Sequence, residues 1–164
     1  MQKTVIISTG GTFNKVYEPI TGSLTIDKTS RAVSEIASKW QCDFTLLSII
    51  GKDSLEMTSQ DRLELLSVIS HTEEENIIVI HGTDTMHTTA AYLADTEMEK
   101  RIILTGAMVP YSIDPVEATA NLTSAIGYMQ KLSKYGVYIA MHGLFGPHEK
   151  IIKEKSQGRF VRKH

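Results

Sequence analysis

The sequence predicts a doubly wound α/β sandwich: three layers, with a mainly parallel sheet between two layers of helix. Two observations carry that prediction. Five short apolar, β-branched runs recur along the chain, and none shows clean polar alternation, as expected of strands buried on both faces. Between them lie segments with apolar residues three and four apart, the spacing of helices that cover a sheet.

The first run, TVIIST at 4–9, ends on Gly10-Gly11-Thr12. Paired glycines permit a sharp turn and a close backbone approach. Residues 11–29 then form a turn-rich stretch with Pro19 and Gly22. A loop this long in a compact domain is expected to be functional or mobile. SRAVSEIASKW at 30–40 is the first helix, and FTLLSII at 44–50 the second strand. The second helix, SQDRLELLSVISH at 59–71, has Thr58 or Ser59 as its cap. NIIVIHG at 76–82 is the third strand, followed by a helix over 84–98. RIILTGA at 101–107, a helix over 115–134 and GVYIAMH at 136–142 complete the alternation. Right-handed crossovers then favour a flavodoxin-like winding. The polar, basic stretch 146–164 is expected to be a solvated tail. No linker or repeat interrupts the pattern, so residues 1–164 are expected to form one domain.

Composition narrows the function. The chain has 164 residues, enough for one real core, and a net charge of −2. Nothing in that balance suggests a nucleic acid or membrane partner. A single cysteine, Cys42, excludes a disulfide framework within the chain. The short apolar run at the N-terminus reads as a strand and not as a signal peptide, and no run reaches the roughly 20 residues of a spanning helix. A cytoplasmic protein is expected.

Open α/β sheets bind ligands beyond the carboxyl ends of their strands. Here those ends carry Gly10-Gly11-Thr12, Gly51-Lys52-Asp53-Ser54 and Gly82-Thr83-Asp84-Thr85. Hydroxyls and carboxylates therefore gather in one crevice, with no histidine pair at metal-ligand spacing. The TGGT turn lacks both the dinucleotide fingerprint and the phosphate-loop lysine, which weakens a nucleotide-binding reading. Thr83 and Asp84 also suit the start of the following helix, Thr83 as its cap and Asp84 at the positive end of its dipole. His81 and His142 end strands and are expected in hydrogen bonds of core or crevice. Met86, Met98, Met108 and Met129 read as core filler.

STGGTF and IHGTDTM, with LTGAMVP and NLTSAI further on, make the chain resemble the bacterial-type L-asparaginases and glutaminase-asparaginases, which are threonine amidohydrolases. The resemblance covers essentially the whole chain. It implies the fold of the N-terminal domain of two-domain L-asparaginases, and hydrolysis of L-asparagine to L-aspartate and ammonia through an acyl-enzyme. Weaker activity on L-glutamine is compatible with it. It implies no metal and no organic cofactor, and a homodimer or homotetramer as the assembly.

Residue by residue, the resemblance makes Thr12 the nucleophile and Tyr17, on the long loop, the group that polarises or deprotonates it. Thr83 and a lysine manage protons. Lys150, Lys153 and Lys155 compete for that place, and only Lys153, with Gly158 behind it, has the family's spacing. Asp84 matches the carboxylate that takes the substrate's α-amino group. Ser54, with Asp53 beside it, matches the serine that takes the α-carboxylate, with backbone amides around Gly11, Ser54 and Thr83 completing that pocket.

The sequence also departs from the pattern. Glu117-Ala118 stands where the family has Asp-Gly, and Val109 where it has a basic residue. Both changes are expected to affect packing and subunit contacts. The family's C-terminal domain, which contributes a carboxylate to a neighbouring subunit's site, has no counterpart among these residues. The rival reading is therefore an amino-acid-binding or sensing module that kept the pocket without efficient catalysis. The direction of Lys153 separates the two: a lysine turned to solvent favours the module.

Overall fold

The computed structural model describes residues 2–164. Its strands and helices in chain order are β1 (Thr4–Gly10), β2 (Lys15–Glu18), β3 (Ser23–Ile26), α1 (Arg31–Ala37), β4 (Phe44–Lys52), α2 (Ser59–His71) and β5 (Asn76–Ile80). These are followed by α3 (Met86–Ala94), β6 (Arg101–Thr105), α4 (Pro115–Met129), β7 (Gly136–Met141), β8 (Leu144–Pro147), β9 (Ile151–Glu154) and β10 (Arg159–Arg162).

The main sheet has six strands in the order β4-β1-β5-β6-β7-β8. The first five pair in parallel, and β8 adds antiparallel to β7 as a hairpin. The five parallel strands have the flavodoxin-like order, with the winding reversing at β1.

Alternation along each strand builds two cores. Val5, Ile7, Ile77, Val79 and Leu104 point to one face and pack with Leu65 and Ile69 of α2 and with Met86, Ala90 and Leu93 of α3. Ile6, Ile78, Ile80 and Ile103 point to the other, against Val33 and Ile36 of α1 and Leu122, Ala125 and Ile126 of α4. Each fully buried Ile or Leu contributes about 1.5–3 kcal/mol, so the two helical layers lock the sheet from both sides. β1, β5 and β6 are buried along their whole length. β4 is not: as an edge strand it is only partly covered, which corrects the expectation of two-sided burial for all five runs.

Three other expectations change. The long segment after β1 is a two-stranded hairpin, β2–β3, with Tyr17 opposite Leu24. The stretch expected as a solvated tail supplies β8 and a second hairpin, β9–β10. Ile151 and Phe160 anchor that hairpin in the core shared with α2 and α3, so its apolar residues, few as they are, decide its place. The helix expected from residue 84 starts at Met86 with Thr85 at its N-cap position, so Thr83 is not its cap. Thr58 does cap α2: its hydroxyl accepts from the Asp61 N–H, and the Asp61 carboxylate accepts from the Thr58 N–H in return.

Candidate active site

Three adjacent strand ends, those of β4, β1 and β5, converge because glycine lets their backbones touch. Gly10 and Gly11 have φ of 111° and 76°. A Cβ on Gly11 would lie 2.7 Å from the Gly82 nitrogen, and one on Gly82 would lie 2.6 Å from the Ser54 Cβ. Gly11, Gly82 and Ser54 therefore stack in direct contact. Thr12 and Thr83 each follow one of these touching glycines, which sets the two threonines at neighbouring strand ends. Thr12 opens a single 3-10 turn, Thr12–Asn14, pinned by the buried Phe13 below it.

Ser54 is held on two sides. The Asp53 carboxylate accepts from the Ser54 N–H at 2.8 Å, and the Thr85 hydroxyl donates to the Ser54 carbonyl at 2.9 Å. The Thr85 N–H donates to Ser54 Oγ at 3.3 Å, so the Ser54 hydroxyl proton remains free for the crevice. Asp53 is fully engaged: its second oxygen pairs with Lys15 Nζ at 2.7 Å. That ion pair ties β2 to the end of β4. Tyr17 lies two residues along from Lys15 and so shares its face of the hairpin. Tyr17 is 63% exposed and makes no hydrogen bond to Thr12 among the described residues. Two of the three amides expected around the pocket are also spent, Gly11 N–H on Lys52 O at 3.0 Å and Ser54 N–H on Asp53.

Lys153 turns inward from β9. Its Nζ donates to Thr83 Oγ1 and to Asp84 Oδ1, each at 2.8 Å, with only 14% of the side chain exposed. Lys150 and Lys155 are exposed. The Lys153 ammonium holds the Asp84 carboxyl below its ordinary value of 3.8, chiefly through this hydrogen bond and against partial burial. The Thr83 oxygen accepts from lysine, which leaves its own proton directed elsewhere.

Behind this cluster runs a polar chain in which the strand-end His81 makes the core hydrogen bonds expected of it and Arg62 is the member the sequence did not reveal. Arg62 of α2 donates to Thr89 Oγ1 at 2.9 Å and to Thr85 Oγ1 at 3.1 Å. Thr89 in turn donates to Nε2 of the fully buried His81, whose Nδ1–H reaches the Gly82 carbonyl at 2.7 Å. Burial lowers the His81 pKa from 6.5 to about 4, so the ring is neutral. One network thus supports Gly82, Thr85 and Ser54. Arg62 escapes notice in the sequence because a lone arginine on a helix looks like a solvated one.

Cavities of about 340 Å³ around Thr4, Cys42 and Asn76, and of about 400 Å³ around Phe13, Arg31 and Tyr111, lie off this cluster. The convergence of hydroxyls, carboxylates and lysine singles out the strand-end crevice instead. Among the described residues, no helix is long and apolar enough to cross a membrane, and no group of three or more His, Cys, Asp or Glu side chains could hold a metal ion.

The family description "Asparaginase, N-terminal" matches residues 3–160. The chain belongs to the asparaginase family. Among curated relatives, it is 34% identical over 151 residues to one of the subunits of the glutamyl-tRNA(Gln) amidotransferase of Methanococcus vannielii, covering 84% of this chain and 34% of that one. It is 31% identical over 155 residues to a probable periplasmic L-asparaginase of Haemophilus influenzae, covering 84% and 42%. Among solved structures, it superposes on the thermostable L-asparaginase from Thermococcus kodakarensis with a TM-score of 0.82, at 23% identity over 98% of this chain and 51% of that one. A probable cytoplasmic L-asparaginase from Campylobacter jejuni gives 0.80, at 25% identity over 99% and 53%. The chain spans about a third to two fifths of these curated relatives and half of these asparaginase structures. The doubly wound α/β sandwich expected from the strand and helix pattern is the fold observed, and it is that of the asparaginase N-terminal domain implied by the resemblance.

Proposed function

We propose that the chain cleaves the side-chain amide of L-asparagine, with L-glutamine as a poorer substrate. The observation that carries this reading is Lys153 Nζ bridging Thr83 and Asp84 beside the Gly11–Gly82 contact that exposes Thr12. The Thr12 hydroxyl attacks the amide carbon and gives up its proton as the new C–O bond forms. The C–N bond breaks, the nitrogen takes a proton, and ammonia leaves an ester on Thr12. Water then attacks that ester, releasing aspartate and restoring the hydroxyl. Thr83 and Lys153 carry protons in these steps. Asp84 holds the substrate ammonium, and the free Ser54 hydroxyl holds the α-carboxylate. The amides of Thr12 and Thr83 stabilise the oxyanion. Tyr17 joins when the β2–β3 hairpin closes, since its face already turns toward Asp53.

A second reading is favoured by the likeness to part of an amidotransferase: the amide is cleaved here and its nitrogen passed to an acceptor. Measuring ammonia and aspartate from L-asparagine and L-glutamine, with melting curves in L-aspartate, separates the readings. Equal amounts of ammonia and aspartate, faster from asparagine, support hydrolysis. Glutamine cleavage outpacing asparagine cleavage supports the second reading. A raised melting temperature without ammonia leaves a binding module. The homo-oligomer and the cytoplasmic location belong to the same proposal, and sedimentation of the purified chain tests the former.

A further inference from the structure

We propose that His142 and Glu117 form a clamp that positions Lys153, an inference that rests on the amidohydrolase reading for its catalytic meaning. His142 follows β7 with φ of 54°, which turns its ring toward the C-terminal hairpin. The Phe160 N–H donates to His142 Nδ1 at 3.2 Å. Nδ1 therefore carries no proton, and Nε2–H donates to Glu117 Oε2 at 2.6 Å. The other Glu117 oxygen accepts from the Met108 and Val109 amides, each at 2.9 Å, so the acid is fixed to the loop after β6. The His142 N–H also donates to Asn121 Oδ1 at 3.0 Å, and the ring meets Phe160 edge-on at 5.7 Å.

Phe160 is the residue directly opposite Lys153 in the β9–β10 ladder. Its N–H faces His142 and not the partner strand. The imidazole thus spans α4 and the hairpin, and sets the position of the strand pair at Lys153. A displacement of about 1 Å in such a group is enough to lower a rate about a hundredfold. Glu117 has the further task of choosing the tautomer. A carboxylate only accepts, so it keeps the imidazole proton on Nε2 and leaves Nδ1 open for Phe160.

The test compares His142→Asn, His142→Gly and Glu117→Gln with the wild type, by amide hydrogen exchange at Phe160, the Lys153 Nζ resonance, and kcat and KM for L-asparagine. Asn and Gly both tolerate the positive φ, so neither variant strains the backbone. Asn offers an oxygen where Nδ1 stood; Gly offers none. In Glu117→Gln the amide donates to Nε2, moves the proton to Nδ1 and removes the acceptor while His142 stays in place.

His142→Gly and Glu117→Gln are expected to speed Phe160 exchange at least about tenfold and to lower kcat about 10–100-fold with KM changed less than about threefold. His142→Asn is expected to keep both properties near wild type. Unchanged Phe160 exchange in the two disruptive variants overturns the clamp, as does faster exchange with unchanged kcat. If the wild type releases no ammonia, the amidohydrolase reading fails alone. The clamp is then judged by Phe160 exchange and the Lys153 resonance: both altered in Glu117→Gln supports it, and an unaltered resonance overturns it.

Discussion

Lys153 Nζ sits 2.8 Å from Asp84 Oδ1, although 69 residues separate them in the chain. One comes from the C-terminal hairpin, the other from the end of a central strand. The same Lys153 Nζ also donates to Thr83 Oγ1 at 2.8 Å. Chemistry and stability meet in this contact.

Lys153→Met is expected to lower kcat by about 10²–10⁴, the usual worth of a positioned proton-transfer group. The same change carries a pH signature. Asp84 is held below its ordinary 3.8 by Lys153, so the folded state binds fewer protons than the unfolded one. The stabilisation is present above 3.8 and lost as pH falls through the folded pKa. Wild type and Lys153→Met should differ in denaturant midpoint at pH 7 and converge under strong acid. A gap that persists there contradicts the assignment.

Gly82→Ala tests the stacked strand ends. The new Cβ would meet the Ser54 Cβ at 2.6 Å and the Ser54 nitrogen at 2.8 Å, so Ser54 must move. A hydrogen bond to a charged group is worth about 1.5–3 kcal/mol, so KM for L-asparagine should rise about 10–100-fold. Steady-state kinetics read this directly; a KM within error of wild type would place the α-carboxylate elsewhere.

His81 makes stability depend on pH in a second window. Its folded pKa of about 4 lies below the ordinary 6.5 because burial disfavours the cation. Between these values the unfolded chain binds the extra proton, so stability rises with pH, is complete above 6.5 and is lost as pH falls toward 4. The loss amounts to up to about 3 kcal/mol. Urea titrations at pH 4.5 and 7 should show this slope in the wild type. In His81→Gln, which keeps an acceptor for Thr89, the slope should flatten.

Lys15→Met releases the hairpin that carries Tyr17. The Lys15–Asp53 pair is half-buried, so its loss costs about 1 kcal/mol or less and a melting shift of about 2–4 °C. Proteolysis near the tip, residues 19–22, should quicken well beyond that global effect. Equal cleavage rates would show that Lys15 does not tether the hairpin.

Much of the fold is legible in the sequence because uninterrupted β-branched runs such as NIIVI and RIILT belong only in a covered parallel sheet, and the helices between them carry the matching period. The two hairpins are less so. KVYE and SLTI are short, polar and solvent-facing, and IIKE and RFVR each anchor through one apolar residue, so local pattern does not separate them from loop. In the site, Gly11, Ser54, Thr83 and Asp84 follow strand ends and are found by position. Lys153 is found by its spacing from Gly158 within a resemblance. His142 is legible as a strand-end histidine in hydrogen bonds of core or crevice, but its partners are not; Arg62 and Glu117 act through partners on other elements, and no local spacing in the sequence announces such contacts. Glu117 has one visible signal, an altered residue just before NL, which by itself points no further than packing.

In the proposed reaction the Gly10-Gly11 turn at the end of β1 exposes Thr12 as the nucleophile. The decisive comparison is ammonia release from L-asparagine by the wild type and by Thr12→Ala, both checked for folding by melting curve. Release by the wild type and a loss of at least about 10³-fold in Thr12→Ala are expected, as for removal of a covalent nucleophile. Release that survives in Thr12→Ala at a comparable rate would contradict a nucleophilic Thr12.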